Sequence, residues 1–386
     1  MDFEYSDEQR MLKDSIDRLV TPAYDDLGKR RATQTQGPGF NEDLWTKYAE
    51  LGLTALPFSE EDGGFGGGAV ETMILMEAIG SGLALEPYLA TIVLGGNFIR
   101  LGGTAEHRAE LIPAIADGSL RLAFAHVERL ARYDLFNVTT HAKRTDRGFR
   151  LEGDKSVVLN GDSAHKLIVS ARTSSASHRD RHGITLFLVD ADAPGISRRG
   201  FPTQDGQRGA AISLAGVDVP ESAIIGTLDH GGALIEQVTD IAIAAICAEA
   251  VGAMSSLHAL TLDYLKTRKQ FGVPIGSFQV LQHKAVDMFT ALEQARSMTY
   301  YAAMMAESDD AHARRRAISA AKVQINNSAR FVGQTAVQLH GGIGVTMEYR
   351  AGHYFKRLTM IESLFGDTDH HMRAVDAAGG LLEAVS

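Results

Sequence analysis

Proline placement constrains this chain more than any other feature. Eight of its nine prolines lie at or before Pro220, and only Pro274 follows. Proline lacks a backbone donor and clashes with the preceding helical turn, so it breaks helix interiors. The stretch after Pro220 is therefore open to long helices and reads as three, at 233–271, 278–307 and 310–339. In the first, Ile246, Ala250, Ala253, Leu257, Leu260 and Tyr264 are spaced 4, 3, 4, 3 and 4 apart. That is one apolar helical stripe.

The proline-rich part divides in two. Residues 1–118 read as helical. Ser6-Asp7-Glu8-Gln9 has the form of a helix start. Apolar runs at 73–79 and 89–94 suit helices, and glycine clusters at 63–68 and 102–103 punctuate them. The runs at 165–172, 183–190 and 211–219 are short, rich in β-branched residues and bounded by turn residues. Residues 119–228 thus read as a β-domain between helical domains at 1–118 and 229–386. This order is α+β by segregation. Residues 173–182 read as an exposed loop.

Composition narrows the function classes. Of the 386 residues, 45% are hydrophobic and 22% charged, the balance of an ordinary globular protein. No uninterrupted apolar run reaches the ~20 residues of a membrane span. The opening Met1-Asp2-Phe3-Glu4 is acidic and lacks the basic region of a signal peptide. The single cysteine, Cys247, excludes an internal disulfide framework and suits a reducing cytoplasm. A net charge of −10 disfavours nucleic acid, whose binding relies on neutralising phosphates. Neither nucleic acid nor membrane is expected as a partner.

Several familiar sites fail on context. Gly64-Phe65-Gly66-Gly67-Gly68 loosely follows a dinucleotide fingerprint, but Pro57 and an acidic turn precede it, not a strand. His370-His371 are adjacent, so on a helix their side chains diverge, and no metal site is expected. Cys247 lies among Ala245, Ile246 and Ala248 and reads as a core thiol.

Two blocks are far more specific. One runs from Tyr264 to Lys284 and includes Arg268, Phe271, Gly272, Pro274, Gly276, Phe278, Gln279 and Gln282. The other is Gln338-Leu339-His340-Gly341-Gly342-Ile343-Gly344, followed by Glu348-Tyr349. With the opening segment, the Leu56-Pro57 to Gly64 turn, Lys155 and Asn160-Gly161, they resemble the acyl-CoA dehydrogenase family along essentially the whole chain. Further stretches, among them Val70–Ile74, Leu85–Thr91, Phe201–Asp205 and Leu364–His371, resemble small subunits of pimeloyl-CoA dehydrogenases.

The resemblance implies a fold with an N-terminal helical domain, a β-barrel-like middle and a C-terminal four-helix bundle. It implies FAD as cofactor, an acyl-CoA substrate, an electron-transferring flavoprotein as partner, and a homo- or hetero-oligomer, usually a tetramer. In such a hetero-oligomer the other chain is a large subunit. The reaction removes a proton from the α-carbon and a hydride from the β-carbon. Carried over by motif, Arg268 and Phe271 are expected to reach a neighbouring subunit's FAD. Gln338, Gly341 and Gly342 are expected at its adenosine-diphosphate end, with Gln282 a weaker carry-over. A guanidinium suits pyrophosphate because it is always charged and forks to two oxygens.

Three departures stand out. The family's threonine-glutamate-proline-glycine segment reads His126-Val127-Glu128-Arg129 here. Its flavin-side tryptophan and threonine fall at Val157 and Leu159. The family's usual glutamate base falls at Phe365, before Gly366-Asp367, and an alternative base position falls at Ala242. Glu249 lies seven residues beyond Ala242, hence on nearly the same helix face, ~10 Å along the axis. Its helical neighbours Ala245, Ile246, Gly252 and Ala253 are not polar. Two readings stay open: a desolvated general base, or a structural carboxylate paired with an arginine from another helix. Asp367 and Glu362 are weaker candidates. A different class also stays open, a structural or regulatory subunit with degraded sites. An acyl-CoA oxidase is a third reading, less favoured because such enzymes usually carry an extra C-terminal domain. A carboxylate-ended substrate would want a cation, and Arg129, Arg132 and Lys155 are basic residues of the β-domain.

Overall fold

A computed structural model describes residues 5–174 and 177–380. The first four residues, and part of the loop expected at 173–182, lie outside the described residues. The elements follow the expected order. Helices α1 (Asp7–Val20), α2 (Leu27–Thr35), α3 (Glu42–Glu50), α4 (Ala69–Gly82), α5 (Asn97–Gly102) and α6 (Ala105–Ala116) come first. Eight strands follow: β1 (Leu122–Ala125), β2 (His141–Thr145), β3 (Gly148–Leu159), β4 (Lys166–Arg172), β5 (Ile184–Asp190), β6 (Ile196–Pro202), β7 (Arg208–Val219) and β8 (Ile224–Ile225). Helices α7 (Gly231–Thr267), α8 (Gln279–Met305), α9 (Ala311–His340), α10 (Arg350–Ser363) and α11 (Thr368–Ala377) complete the chain. Helical domains thus lie before and after a central sheet domain.

The described residues gather into two compact units. One takes residues up to Ala32, Ala69–Ala84 and Ile243 onward; the other takes Thr33–Gly68 and Leu85–Ala242.

In the second unit the strand order is β6-β7-β3-β2-β4-β5-β8, with β1 joined in parallel to β4. Along β3, Phe149, Leu151 and Lys155 face inward by the two-residue period of a strand. A bulge between Lys155 and Val158 resets that period. Val158 therefore points into the core and Val157 outward, 41% exposed. The core is filled by Phe149, Leu151, Val169, Phe187, Ile212 and Leu214. The apolar run at 89–94, expected as helical, lies in a π-helix, Leu89–Gly96, ahead of α5.

The first unit is helical. Ser6 caps α1: its hydroxyl accepts from the Gln9 backbone, and the Gln9 side chain accepts from the Ser6 backbone. The helix start expected at Ser6–Gln9 is thus a capping box. The single apolar stripe expected on α7 is wider in the structure. Every residue from Ile241 to Met254 is buried, so this stretch is covered all round. By length and hydropathy α7 could cross a membrane, yet 94% of its most apolar stretch is buried within the protein. It reads as a core helix.

Two glycines set the approach of α4 to the first-unit part of α7. A Cβ on Gly80 would lie 1.9 Å from the Glu249 carbonyl oxygen. A Cβ on Gly252 would lie 1.8 Å from the Glu77 carbonyl oxygen. Both obstacles are backbone, so neither can move aside cheaply. Gly252→Ala should destabilise by ~1–3 kcal/mol through overpacking, read as a lower midpoint in urea denaturation. An unchanged midpoint would contradict the tight crossing.

The first long helix ends earlier than expected. The chain leaves α7 at Thr267 and makes a hairpin of β9 (Lys269–Gln270) and β10 (Val273–Pro274). Phe271 and Gly272 at its tip adopt left-handed φ of 54° and 82°. Glycine tolerates that conformation and proline then prevents helix from resuming.

Candidate functional site

Helix ends in the first unit carry the expected cofactor residues. Tyr264, one turn before Arg268, packs its ring 4.6 Å from that of His340, the residue before Gly341. Tyr349 joins them, 5.1 Å from His340. This aromatic contact brings the two sequence blocks side by side. Arg268 is exposed at the end of α7. Phe271 projects from the hairpin tip, 93% exposed, edge-on to Phe278. Gln338 is exposed on the last turn of α9. Gly341 ends that helix with φ of 63°, and a Cβ on Gly341 or Gly342 would meet no atom within 4 Å.

An exposed guanidinium, an exposed aromatic ring and two glycines with open space suit a dinucleotide. The residues therefore fit FAD. They lie on the surface of this unit, so a bound dinucleotide here needs a second surface to cover it. Gln282 is exposed near the start of α8, and its Nε2 donates to the Gly276 carbonyl at 2.8 Å.

Glu249 is the sharpest outcome. It is buried as expected, 2% exposed. Its own helix is apolar around it, but α10 delivers Arg357. Arg357 Nε and Nη2 donate to Glu249 Oε1 and Oε2 at 2.5 and 2.7 Å. This is a bidentate buried ion pair. Of the two readings left open, the geometry is that of the second, a carboxylate paired with an arginine from another helix. The cause is packing across 108 positions of sequence, which helical spacing cannot reveal.

The weaker carboxylates are also engaged. Glu362 pairs with Arg330. Asp367 caps α11, its Oδ1 accepting from the His370 backbone at 2.8 Å. Phe365 and Ala242 offer no proton acceptor. Burial pushes the Cys247 thiol up to about 12, in keeping with a core thiol.

The second unit holds a buried polar network that sequence reasoning missed. Lys155 Nζ donates to Glu128 Oε1 at 2.7 Å and to Ser170 Oγ at 3.2 Å. Glu128 also accepts from the backbone of Thr139 and Thr140, at 2.8 and 3.0 Å. Ser170 Oγ lies 2.9 Å from His126 Nδ1. Because the ammonium donates to Ser170, that hydroxyl is free to donate to Nδ1. The His126 ring stacks on Phe124, 4.9 Å away and 4° from parallel. Lys155 is thereby committed within the fold. Arg129 and Arg132 are exposed.

Burial, helped by Lys155, depresses the His126 imidazole to about 3. Burial likewise depresses His371 to about 2. Both are neutral when folded and titrate near 6.5 when unfolded. The unfolded chain then binds more protons as pH falls below 6.5, so stability must fall with it. Each imidazole should remove on the order of 1–2 kcal/mol between pH 6.5 and 5. His126→Gln should flatten that slope in denaturation followed against pH. An equal slope in the variant would count against it.

The comparisons with known proteins agree with this architecture. Family models match three successive ranges: Acyl-CoA dehydrogenase, N-terminal domain at 6–119, middle domain at 123–216 and C-terminal domain at 229–379. Acyl-CoA dehydrogenase FadE12 of Mycobacterium tuberculosis is 30% identical over 80% of this chain and 80% of its own. Among solved structures, a Tcur3481-Tcur3483 steroid ACAD variant is 30% identical, covers 96% of this chain and 97% of its own, and has a TM-score of 0.85. The FAD complex of PigA is 26% identical, with 98% and 99% covered and a TM-score of 0.89. The chain belongs to the acyl-CoA dehydrogenase family, whose reaction is the FAD-dependent dehydrogenation of an acyl-CoA. It is an oxidoreductase of that family.

Proposed function

We propose that this chain acts within an oligomer on a dicarboxylyl or bulky acyl-CoA, pimeloyl-CoA being the first to test. The observation that carries the FAD part is the Tyr264–His340 contact, which joins the block of Arg268 and Phe271 to that of Gly341 and Gly342. FAD supplies the hydride acceptor for the β-carbon when bound. Arg268 holds pyrophosphate by charge and fork geometry. The glycines let phosphate approach the backbone.

Exposed apolar side chains support the oligomer. Phe271, Val280, Val286, Phe289, Phe331 and Val345 are all at least 42% exposed and lie in the first unit. Each of these side chains would gain by burial against a partner chain. An electron-transferring flavoprotein is the proposed electron acceptor, by family analogy alone. A reducing compartment, the cytoplasm, suits the one buried thiol.

One observation favours a second reading, a subunit whose proton acceptor comes from a larger partner chain. Glu249, Glu362 and Asp367 all have structural partners, and Phe365 and Ala242 are inert. Turnover by the FAD-loaded chain with a one-electron dye separates the readings. Pimeloyl-CoA should be preferred over heptanoyl-CoA, which has the same length without the carboxylate, by roughly tenfold or more in kcat/KM. Equal rates would remove the dicarboxylyl preference. No turnover of either by a flavin-loaded chain would favour the partner-supplied base.

A further inference from the structure

The turn between α10 and α11 is built at unusual expense in conformation. Phe365 has φ of 58°, left-handed and rare for an aromatic residue. Gly366 follows at 132°. A Cβ on Gly366 would lie 2.4 Å from His371 Nε2, so glycine is required twice over.

Three groups hold this turn, two of them fully buried. Lys322, fully buried on α9, donates its Nζ to the Ile361 carbonyl at 2.5 Å and to Asn326 Oδ1 at 3.0 Å. A cation is well placed there, since Ile361 lies in the last turn of α10. His371, also fully buried, places Nε2 3.2 Å from the Phe365 carbonyl and Nδ1 3.2 Å from Ser319 Oγ. A carbonyl only accepts, so Nε2 carries the proton, and the neutral ring leaves Nδ1 to accept from Ser319. Asp367 caps α11 and fixes the exit.

Lysine is almost never fully buried unless its charge is partnered. Here Lys322 binds the carbonyl four residues before the strained Phe365, and His371 binds the Phe365 carbonyl itself. That residue occupies the position where the family resemblance sets a base, yet it carries an apolar ring. We propose that Lys322 and His371 are positioning residues that lock the Phe365 turn as a rigid wall of the acyl site, so that the ring selects acyl groups by size. This rests on the acyl-CoA reading above. It gives the position a task in substrate selection where it has none in proton transfer.

The test measures acyl-CoA affinity by calorimetry, using the FAD-loaded chain with butyryl-CoA and octanoyl-CoA. Binding, unlike turnover, needs no base. The variants are Phe365→Ala, His371→Gln and Lys322→Met, with FAD content and melting temperature recorded for each. Lys322→Arg and His371→Asn serve as milder variants if the first pair does not fold. Phe365→Ala should change the ratio of the two dissociation constants by roughly tenfold or more. The Lys322 and His371 variants should move that ratio in the same direction with FAD retained. Hydrogen exchange at 361–371 should rise in both. If Phe365→Ala leaves the ratio unchanged, the wall is wrong. If only melting temperature falls in the positioning variants, their role is structural alone and the inference is overturned. A wild-type chain that binds FAD but neither thioester would overturn the acyl-CoA reading itself, and the inference with it.

Discussion

Glu249→Gln is expected to lose about 3–5 kcal/mol of stability, because it leaves the Arg357 guanidinium buried without its counter-charge. The pair is almost fully enclosed, with 8% and 3% side-chain exposure. Removing one ion of such a pair strands the other in a medium that solvates it poorly. Removing both is different. Glu249→Leu combined with Arg357→Met should recover most of the loss, since a well-packed apolar pair is often as stable as the ion pair. Urea denaturation of the three proteins measures this directly. The opposite pattern is a Glu249→Gln protein of normal stability that keeps FAD and acyl-CoA but loses turnover. That pattern would restore Glu249 as the general base.

Lys155→Met should have a comparable effect in the second unit, again about 3–5 kcal/mol, because Glu128 would be left buried without its counter-charge. The pH dependence gives a second handle. Burial alone would raise the Glu128 carboxyl above its ordinary value of 4.5. The Lys155 charge and the donors from Lys155, Thr139 and Thr140 outweigh it and hold the group down at about 2. A depressed carboxylate contributes stability that is full above 4.5 and is lost as pH falls toward 2. Glu128→Gln should therefore be less stable at neutral pH and show a shallower loss between 4.5 and 2. An identical acid profile in the two proteins would contradict the pairing.

Local signals were legible wherever one segment decided the outcome. The strands expected at 165–172 and 183–190 appear at Lys166–Arg172 and Ile184–Asp190. The helices expected at 278–307 and 310–339 appear at Gln279–Met305 and Ala311–His340. The helix start expected at Ser6–Gln9 appears as α1 from Asp7, capped by Ser6. What was not legible depends on distant partners. Nothing around Glu249 names Arg357, and nothing around Glu128 names Lys155. The bulge that turns Val157 outward comes from how β3 meets β7, which neither strand records alone. The Arg268 to Pro274 hairpin was missed because an apolar helical pattern runs straight into it. The left-handed Phe271 and Gly272 end that pattern. The π-helix at Leu89–Gly96 shares its composition with an ordinary helix and has no separate signature.

The interleaving of the two units is a similar case. Ala69–Ala84 belongs with the C-terminal helices although its sequence neighbours do not. Gly80 and Gly252 mark the close crossing, but glycine in a helix is readable as a contact only once its partner is known.

The central claim is that this chain binds FAD and reduces it with an acyl-CoA. The most direct measurement is an absorbance spectrum of the purified, FAD-loaded chain under anaerobic conditions, before and after pimeloyl-CoA. The expected result is a flavin band that the chain retains through gel filtration and that bleaches when the thioester is added. A chain that cannot retain flavin in any assembly state, or a retained flavin left oxidised by every acyl-CoA offered, would contradict it.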